Sequence, residues 1–136
     1  MIKSSAILEI NLKNLIHNYN YFKKIAKDTE VGATIKANAY GIGDKETFSC
    51  LYKIGCRNFF VATLKEGVNL RKKFKRGYIY VLNGLENNYT FFFKKYKLIP
   101  IINSKEEIIK IIKLKIRFGI HIDTGLNRLG INNKKL

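Results

Sequence analysis

The sequence predicts an α/β fold in which parallel strands alternate with helices, and three observations carry that prediction. Apolar runs of strand length alternate throughout with segments of helical period, which is the pattern of βα units. The chain has 136 residues, the size of one ordinary domain, and 46% of them are apolar, enough for a single core. It contains one proline, and no linker or low-complexity segment divides it.

Taken in order, Ala6-Ile-Leu-Glu-Ile10 alternates like a strand, and Leu12, Leu15, Ile16, Tyr19, Phe22 and Ile25 then fall on one helical stripe. Val31-Gly-Ala-Thr-Ile35 reads as a buried strand ending at Lys36, followed by a Gly-containing loop through Gly43. Asp44 is the expected N-cap of a helix reaching about Ile54. Asn58-Phe-Phe-Val61 is the next strand, with a helix from about Leu64 to Phe74. Tyr78-Ile-Tyr-Val-Leu82 follows, then a helix near Glu86 to Tyr96. After Leu98-Ile-Pro-Ile-Ile102, Ser104 caps a helix containing Ile108, Ile109, Ile111 and Ile112, and the last strand runs from Ile116 to Ile122. Such a series fits a doubly wound sheet or the first part of a (β/α)8 barrel, since both obey the right-handed crossover rule. A complete barrel takes about 250 residues. A half-barrel leaves two strand edges open for pairing with something else.

The formal charge is +16, from 26 Lys and Arg against 10 Asp and Glu, a balance that raises nucleic acid or an anionic membrane as partner. Base composition competes with that reading. Ile, Lys, Asn, Tyr and Phe, the residues of A+T-rich codons, make up 72 of the 136 residues. Only five of the basic residues are Arg, and the lysines scatter from Lys3 to Lys135, so neither nucleic acid nor a membrane is expected as partner. Cys50 and Cys56 have no second pair and no neighbouring His, which makes them two reduced thiols rather than a zinc site or a disulfide framework. The first residues lack an apolar signal region, and no apolar stretch is long enough to span a bilayer. The expected location is the cytoplasm.

Two segments could carry chemistry. Lys36 closes the small and apolar run Gly32-Ala-Thr-Ile35 and is followed by Ala37-Asn-Ala-Tyr-Gly-Ile-Gly43. A lone ammonium at the carboxyl end of a buried strand is costly unless it is paired or discharged, and a discharged amine is a nucleophile. The small residues leave room for a planar group, with the ring and hydroxyl of Tyr40 beside it. The plain alternative is a lysine that snorkels into solvent. The second segment is Ile120-His-Ile-Asp-Thr-Gly-Leu-Asn-Arg-Leu-Gly130. On a strand His121 and Asp123 share a face, and Gly125 and Gly130 bracket a turn presenting Arg128, whose fork suits a carboxylate or phenolate. A surface ion pair is the simpler use of Arg128. The Asp-Thr-Gly triplet of aspartic proteases belongs to all-β folds and does not fit this α/β alternation.

Together these segments resemble alanine racemase, the pyridoxal-phosphate enzyme of the amino-acid racemase barrel type. Ile35-Lys-Ala-Asn-Ala-Tyr-Gly-Ile-Gly43 is similar to the family's cofactor-lysine motif, and Ile122-Asp-Thr-Gly-Leu-Asn-Arg-Leu-Gly130 to its second fingerprint. Glu9 to Asn18, Thr63 to Arg71 and Val81-Leu-Asn-Gly84 fall in the expected order as well. The resemblance implies the amino-terminal half of a (β/α)8 TIM-type barrel over residues 1–136, without the rest of the barrel and its β-domain. It implies interconversion of L- and D-alanine for peptidoglycan, with pyridoxal 5'-phosphate as cofactor and a homodimer in the full-length family. Lys36 would bind the cofactor covalently and, once released, act as one of two bases on the α-carbon. Tyr40 would lie against the cofactor and reach its phosphate, and Arg128 would approach its phenolic oxygen and the substrate carboxylate. The sequence departs from the family at Ile42, commonly His, and at His121, often a lysine that holds the arginine in place. A neutral His121 could instead accept a hydrogen bond from Arg128. Because the opposite-face base is a tyrosine of the β-domain, the expectation is an amino-terminal fragment inactive alone. The alternative is a non-catalytic cofactor-binding module or a subunit completing a barrel with another chain.

Overall fold

The computed structural model describes residues 6–132. Its spine is a five-stranded, all-parallel sheet of β1 (Ala33–Thr34), β2 (Asn58–Val61), β3 (Tyr78–Val81), β4 (Ile99–Ile102) and β5 (Gly119–Ile120). The strands lie side by side in chain order. A doubly wound sheet reverses its order at a switch point, whereas a barrel steps round in one direction, so this order is that of the amino-terminal part of a barrel.

Helices α1 (Leu12–Ala26), α3 (Asp44–Lys53), α4 (Leu64–Lys73), α5 (Thr90–Lys95) and α6 (Lys105–Leu114) alternate with the strands, and α2 (Lys36–Tyr40) is a single turn taken up below. Alternation along each strand decides which face they cover. Phe59 and Val61 of β2 and Ile79 and Val81 of β3 are fully buried. Phe48 of α3 stacks on Phe59 at 4.0 Å and on Phe74 at 4.2 Å. At Gly67 of α4 an added Cβ would meet Leu98 at 3.2 Å and Val81 at 3.4 Å, so glycine lets α4 lie this close to the sheet without displacing those side chains. The opposite face is thinner: Phe60 and Tyr80, stacked at 4.7 Å, are half-buried.

The helix starts follow local chemistry. Thr63 and Glu66 form a reciprocal capping box on α4, and the Ser104 side chain accepts from the Glu107 N–H to cap α6 as expected. The buried Arg71 of α4 ties loops together at the amino ends of the strands. Its guanidinium donates to the carbonyls of Tyr96, Phe74, Arg76, Gly77 and Lys97, and burial lowers its pKa from the usual arginine value. Cys50 and Cys56 are free thiols.

Several expectations need correction. Residues Ala6–Ile10 form no strand: none of the ladders among the described residues includes them, and Ile7 and Leu8 are exposed. The α1 stripe is buried only at Tyr19, while Phe22 and Ile25 are exposed. Asp44 is the first helical residue and Gly43 the N-cap, because Asn38 Oδ1 takes the Asp44 N–H at 3.0 Å. The Glu86–Tyr96 helix resolves into a 3-10 turn at Asn87–Tyr89 followed by α5. The last strand breaks at His121: its N–H donates to Ile102 while its carbonyl accepts from Ile131, so the chain changes partners there. Beyond the break β6 (Ile122–Asp123) pairs in parallel with β7 (Ile131–Asn132).

Candidate active site

The carboxyl ends of the strands carry the residues nominated from the sequence. Lys36 follows β1 after one residue, Ile35, and opens α2, whose backbone has the opposite hand to an ordinary helix. Ala37, Asn38, Ala39 and Tyr40 all have φ between 49° and 56°. Left-handed residues other than glycine cost roughly 1–2 kcal/mol each, so the turn persists only because its surroundings hold it. Glu66 Oε1 accepts from the Ala37 N–H at 2.8 Å, and the Ala39 N–H donates to the Ile35 carbonyl. The Asn38 carbonyl accepts from Gly41 and Gly43, while its side chain holds Asp44. Ala39 is buried and Gly41 closes the turn at φ 93°. The result fixes Lys36 and Tyr40 on the same turn, with the Lys36 Nζ 5.9 Å from the Tyr40 ring centroid. Lys36 is half-buried and Tyr40 exposed.

Carboxylates fasten successive loops at this end. Glu66 joins the loop after β1 to that after β2, its second oxygen accepting from the N–H groups of Ala62 and Thr63. Glu86 accepts from the Leu64 N–H, joining the loop after β3 to the start of α4. Glu107 accepts from Leu85 with one oxygen and from Asn103 with the other, joining the loops after β3 and β4. Asn103 then connects to β5. Its amide donates to the carbonyls of Leu82 and Ile101, which leaves Oδ1 to accept, and His121 Nδ1 meets that oxygen at 3.0 Å. The Nδ1 therefore carries the proton.

Past His121 the chain enters the turn that presents Arg128. Asp123 Oδ1 accepts from the N–H groups of Gly125 and Asn127, and these two bonds hold its carboxyl below the ordinary aspartate range. Asn127 takes a left-handed φ of 54° and bonds back to the Gly125 carbonyl. At Gly130, φ is 105° and an added Cβ would lie 3.0 Å from both the Asp123 nitrogen and the His121 ring. Arg128 is exposed and has no hydrogen-bond partner among the described residues. The acceptor role considered for His121 toward Arg128 is therefore not what this structure shows; His121 is engaged by Asn103.

Lys36 and Arg128 thus both follow carboxyl ends, but at opposite edges of the sheet. The four strand intervals from β1 to β5 span about 19 Å at the usual spacing of about 4.8 Å. Closing the sheet into a barrel turns both edges toward one mouth. Asn38, Glu66, Asn103 and Glu107 were missed by sequence reasoning. The Thr-x-x-Glu pattern at Thr63 and Glu66 signals a capping box, but its grip on Ala37, 29 residues away, has no local signature.

A family model described as alanine racemase, N-terminal domain, matches residues 10–136. Among curated proteins the chain is 39% identical over 140 residues to the alanine racemase of Rickettsia prowazekii, covering 98% of this chain and 35% of the relative. It is equally 39% identical to that of Rickettsia akari, where it covers 39% of the relative. Among solved structures, alanine racemase from Bartonella henselae with covalently bound pyridoxal phosphate superimposes with a TM-score of 0.86 at 32% identity. That match covers 92% of this chain and 38% of the other. The chain therefore spans between about a third and two fifths of the length of these relatives. The chain belongs to the alanine racemase family, whose N-terminal domain it matches.

Proposed function

We propose that the chain provides the lysine-bearing amino-terminal barrel portion, residues 1–136, of a pyridoxal-phosphate-dependent racemase that interconverts L- and D-alanine for peptidoglycan. The observation that carries this reading is Lys36 at the carboxyl end of β1, on a left-handed turn that sets Tyr40 beside it. The residues present fit the cofactor. A half-buried primary amine, with no hydrogen-bond or ion-pair partner among the described residues, can bond an aldehyde carbon. When bound, pyridoxal phosphate supplies the electron sink that acidifies the substrate's α-carbon.

The chain's own groups then have distinct tasks. Lys36 Nζ would hold the cofactor and, when free, would take or return the α-proton on one face. Tyr40 would pack against the cofactor and offer its hydroxyl to the phosphate. Arg128, whose guanidinium fork matches a phenolate or carboxylate, would bind the phenolic oxygen and the substrate carboxylate. The complete site forms in a cytoplasmic homodimer. Among the described residues no helix is long and apolar enough to cross a membrane.

The experiment is to add pyridoxal phosphate, reduce with borohydride, map the modified lysine by mass spectrometry and assay alanine racemisation in parallel. We expect a pyridoxyl adduct on Lys36 that Lys36→Ala abolishes. No adduct, or one spread over other lysines, overturns the reading. An adduct without racemisation supports a second reading, a cofactor-binding subunit that completes a barrel with another chain. The edge strands β1 and β5, each paired on one side only among the described residues, favour that reading.

A further inference from the structure

At the opposite end of the strands, the connections that lead from helix to strand meet around a cavity of about 620 Å³, floored by Leu98, Ile99 and Phe93. Its wall is basic and contains no acidic residue. Four lysines line it: Lys75, Lys94, Lys97 and Lys115. Lysine is abundant everywhere in this chain, so that alone says little. Arginine is scarce, and four of the five in the chain, Arg57, Arg71, Arg76 and Arg117, line this one cavity. A random share would place fewer than one there.

Two of those arginines are occupied by the fold. Arg71 serves the carbonyls already described, and Arg57 donates to the carbonyls of Tyr52 and Cys56. Arg76 and Arg117 have side chains without a hydrogen-bond or ion-pair partner among the described residues. The Arg117 guanidinium lies 4.9 Å from the Tyr78 ring centroid, and Arg57 lies 4.3 Å from that of Tyr52. Stacking of this kind presents the planar fork in a fixed orientation. Eight cations around one cavity repel one another, because the screening length at physiological salt, about 8 Å, is comparable to the cavity itself. A multivalent anion relieves that repulsion, and paired N–H donors match phosphate oxygens. The volume falls within the range of about 300–1,000 Å³ usual for small-molecule sites, and a concave cavity suits a compact ligand better than an extended nucleic-acid strand.

We propose that this cavity binds a small polyphosphorylated ligand, held by the forks of Arg76 and Arg117 within the ring of lysines, at the end of the sheet remote from Lys36.

Inorganic triphosphate is the probe, titrated calorimetrically into the 136-residue chain. We expect one site per chain. Arg76→Gln with Arg117→Gln should weaken binding at least about tenfold, since each lost charge-assisted pair is worth more than a neutral bond. Lys24→Gln with Lys45→Gln removes the same charge from α1 and α3 and should change affinity less than about twofold. Lys36→Ala should bind triphosphate as the parent does. A separate measurement needs no variant: triphosphate should protect Lys94, Lys97 and Lys115 from acylation while Lys24 and Lys45 stay reactive. Equal weakening by the two double variants, uniform lysine protection, or loss of binding in Lys36→Ala overturns the proposal. So does absence of binding, or an oligonucleotide that binds and is not displaced by triphosphate.

Discussion

Tyr19 closes the seam between α1 and the start of the sheet. Its hydroxyl donates to the Val31 carbonyl at 3.1 Å and lies near the Cys56 thiol, and burial pushes its pKa up to about 12. A phenol whose pKa is raised on folding binds its proton more tightly in the folded state. Its contribution to stability is therefore complete below the unfolded value near 10 and is lost as pH climbs toward 12. A spectrophotometric titration should show one tyrosine ionising last, together with alkaline unfolding, and Tyr19→Phe should remove that late step. Ionisation of every tyrosine before unfolding begins would contradict this. At the same scale, Lys36, Tyr40 and Arg128 could be nominated from the sequence because motif and residue chemistry are local properties. Asn103 could not: its place between β3, β4 and His121 depends on three segments meeting in space.

Among the elements, α2 is the most informative. Ala-Asn-Ala-Tyr carries little sequence signal for left-handed backbone beyond Asn38 and the glycines at 41 and 43, so a loop is the natural reading of residues 37–43. Its hand is imposed from outside, chiefly by Glu66. Glu66→Ala removes the acceptor of three backbone N–H groups, those of Ala37, Ala62 and Thr63. It should cost about 2–4 kcal/mol in urea unfolding, with Glu66→Gln costing less. It should also weaken the pyridoxyl labelling of Lys36 beyond what the loss of stability explains. A change under about 0.5 kcal/mol would show that α2 holds its hand unaided. Strands β2 to β4 and the Ser104 cap of α6 are legible because hydrophobic period and capping chemistry are written within a few residues. The opening segment Ala6–Ile10 differs for the converse reason, since alternation reports which side chains could share a face and says nothing of which ladder the segment joins.

For the whole molecule, the barrel-like strand order followed from alternation plus family motifs, while alternation alone left a doubly wound sheet equally open. Charge acts at this scale too. A net charge of +16 on one domain repels itself, so added salt should stabilise the chain by screening. Raising sodium chloride from low to physiological concentration should lift the melting temperature by roughly 4 °C, corresponding to about 1 kcal/mol. A fall with salt would mean that favourable ion pairs outweigh the repulsion. Triphosphate should produce a larger rise than sodium chloride of equal ionic strength, because it binds at one place.

The order of strands also bears on how the chain is made. They begin at residues 33, 58, 78, 99 and 119, and each pairs with the one before it. Every pairing therefore needs only a strand that the ribosome has already released. At about 5–20 residues per second a new βα unit emerges every one to a few seconds, whereas helix formation takes about a microsecond or less. The sheet can grow at its newest edge in step with translation, without waiting for any later segment.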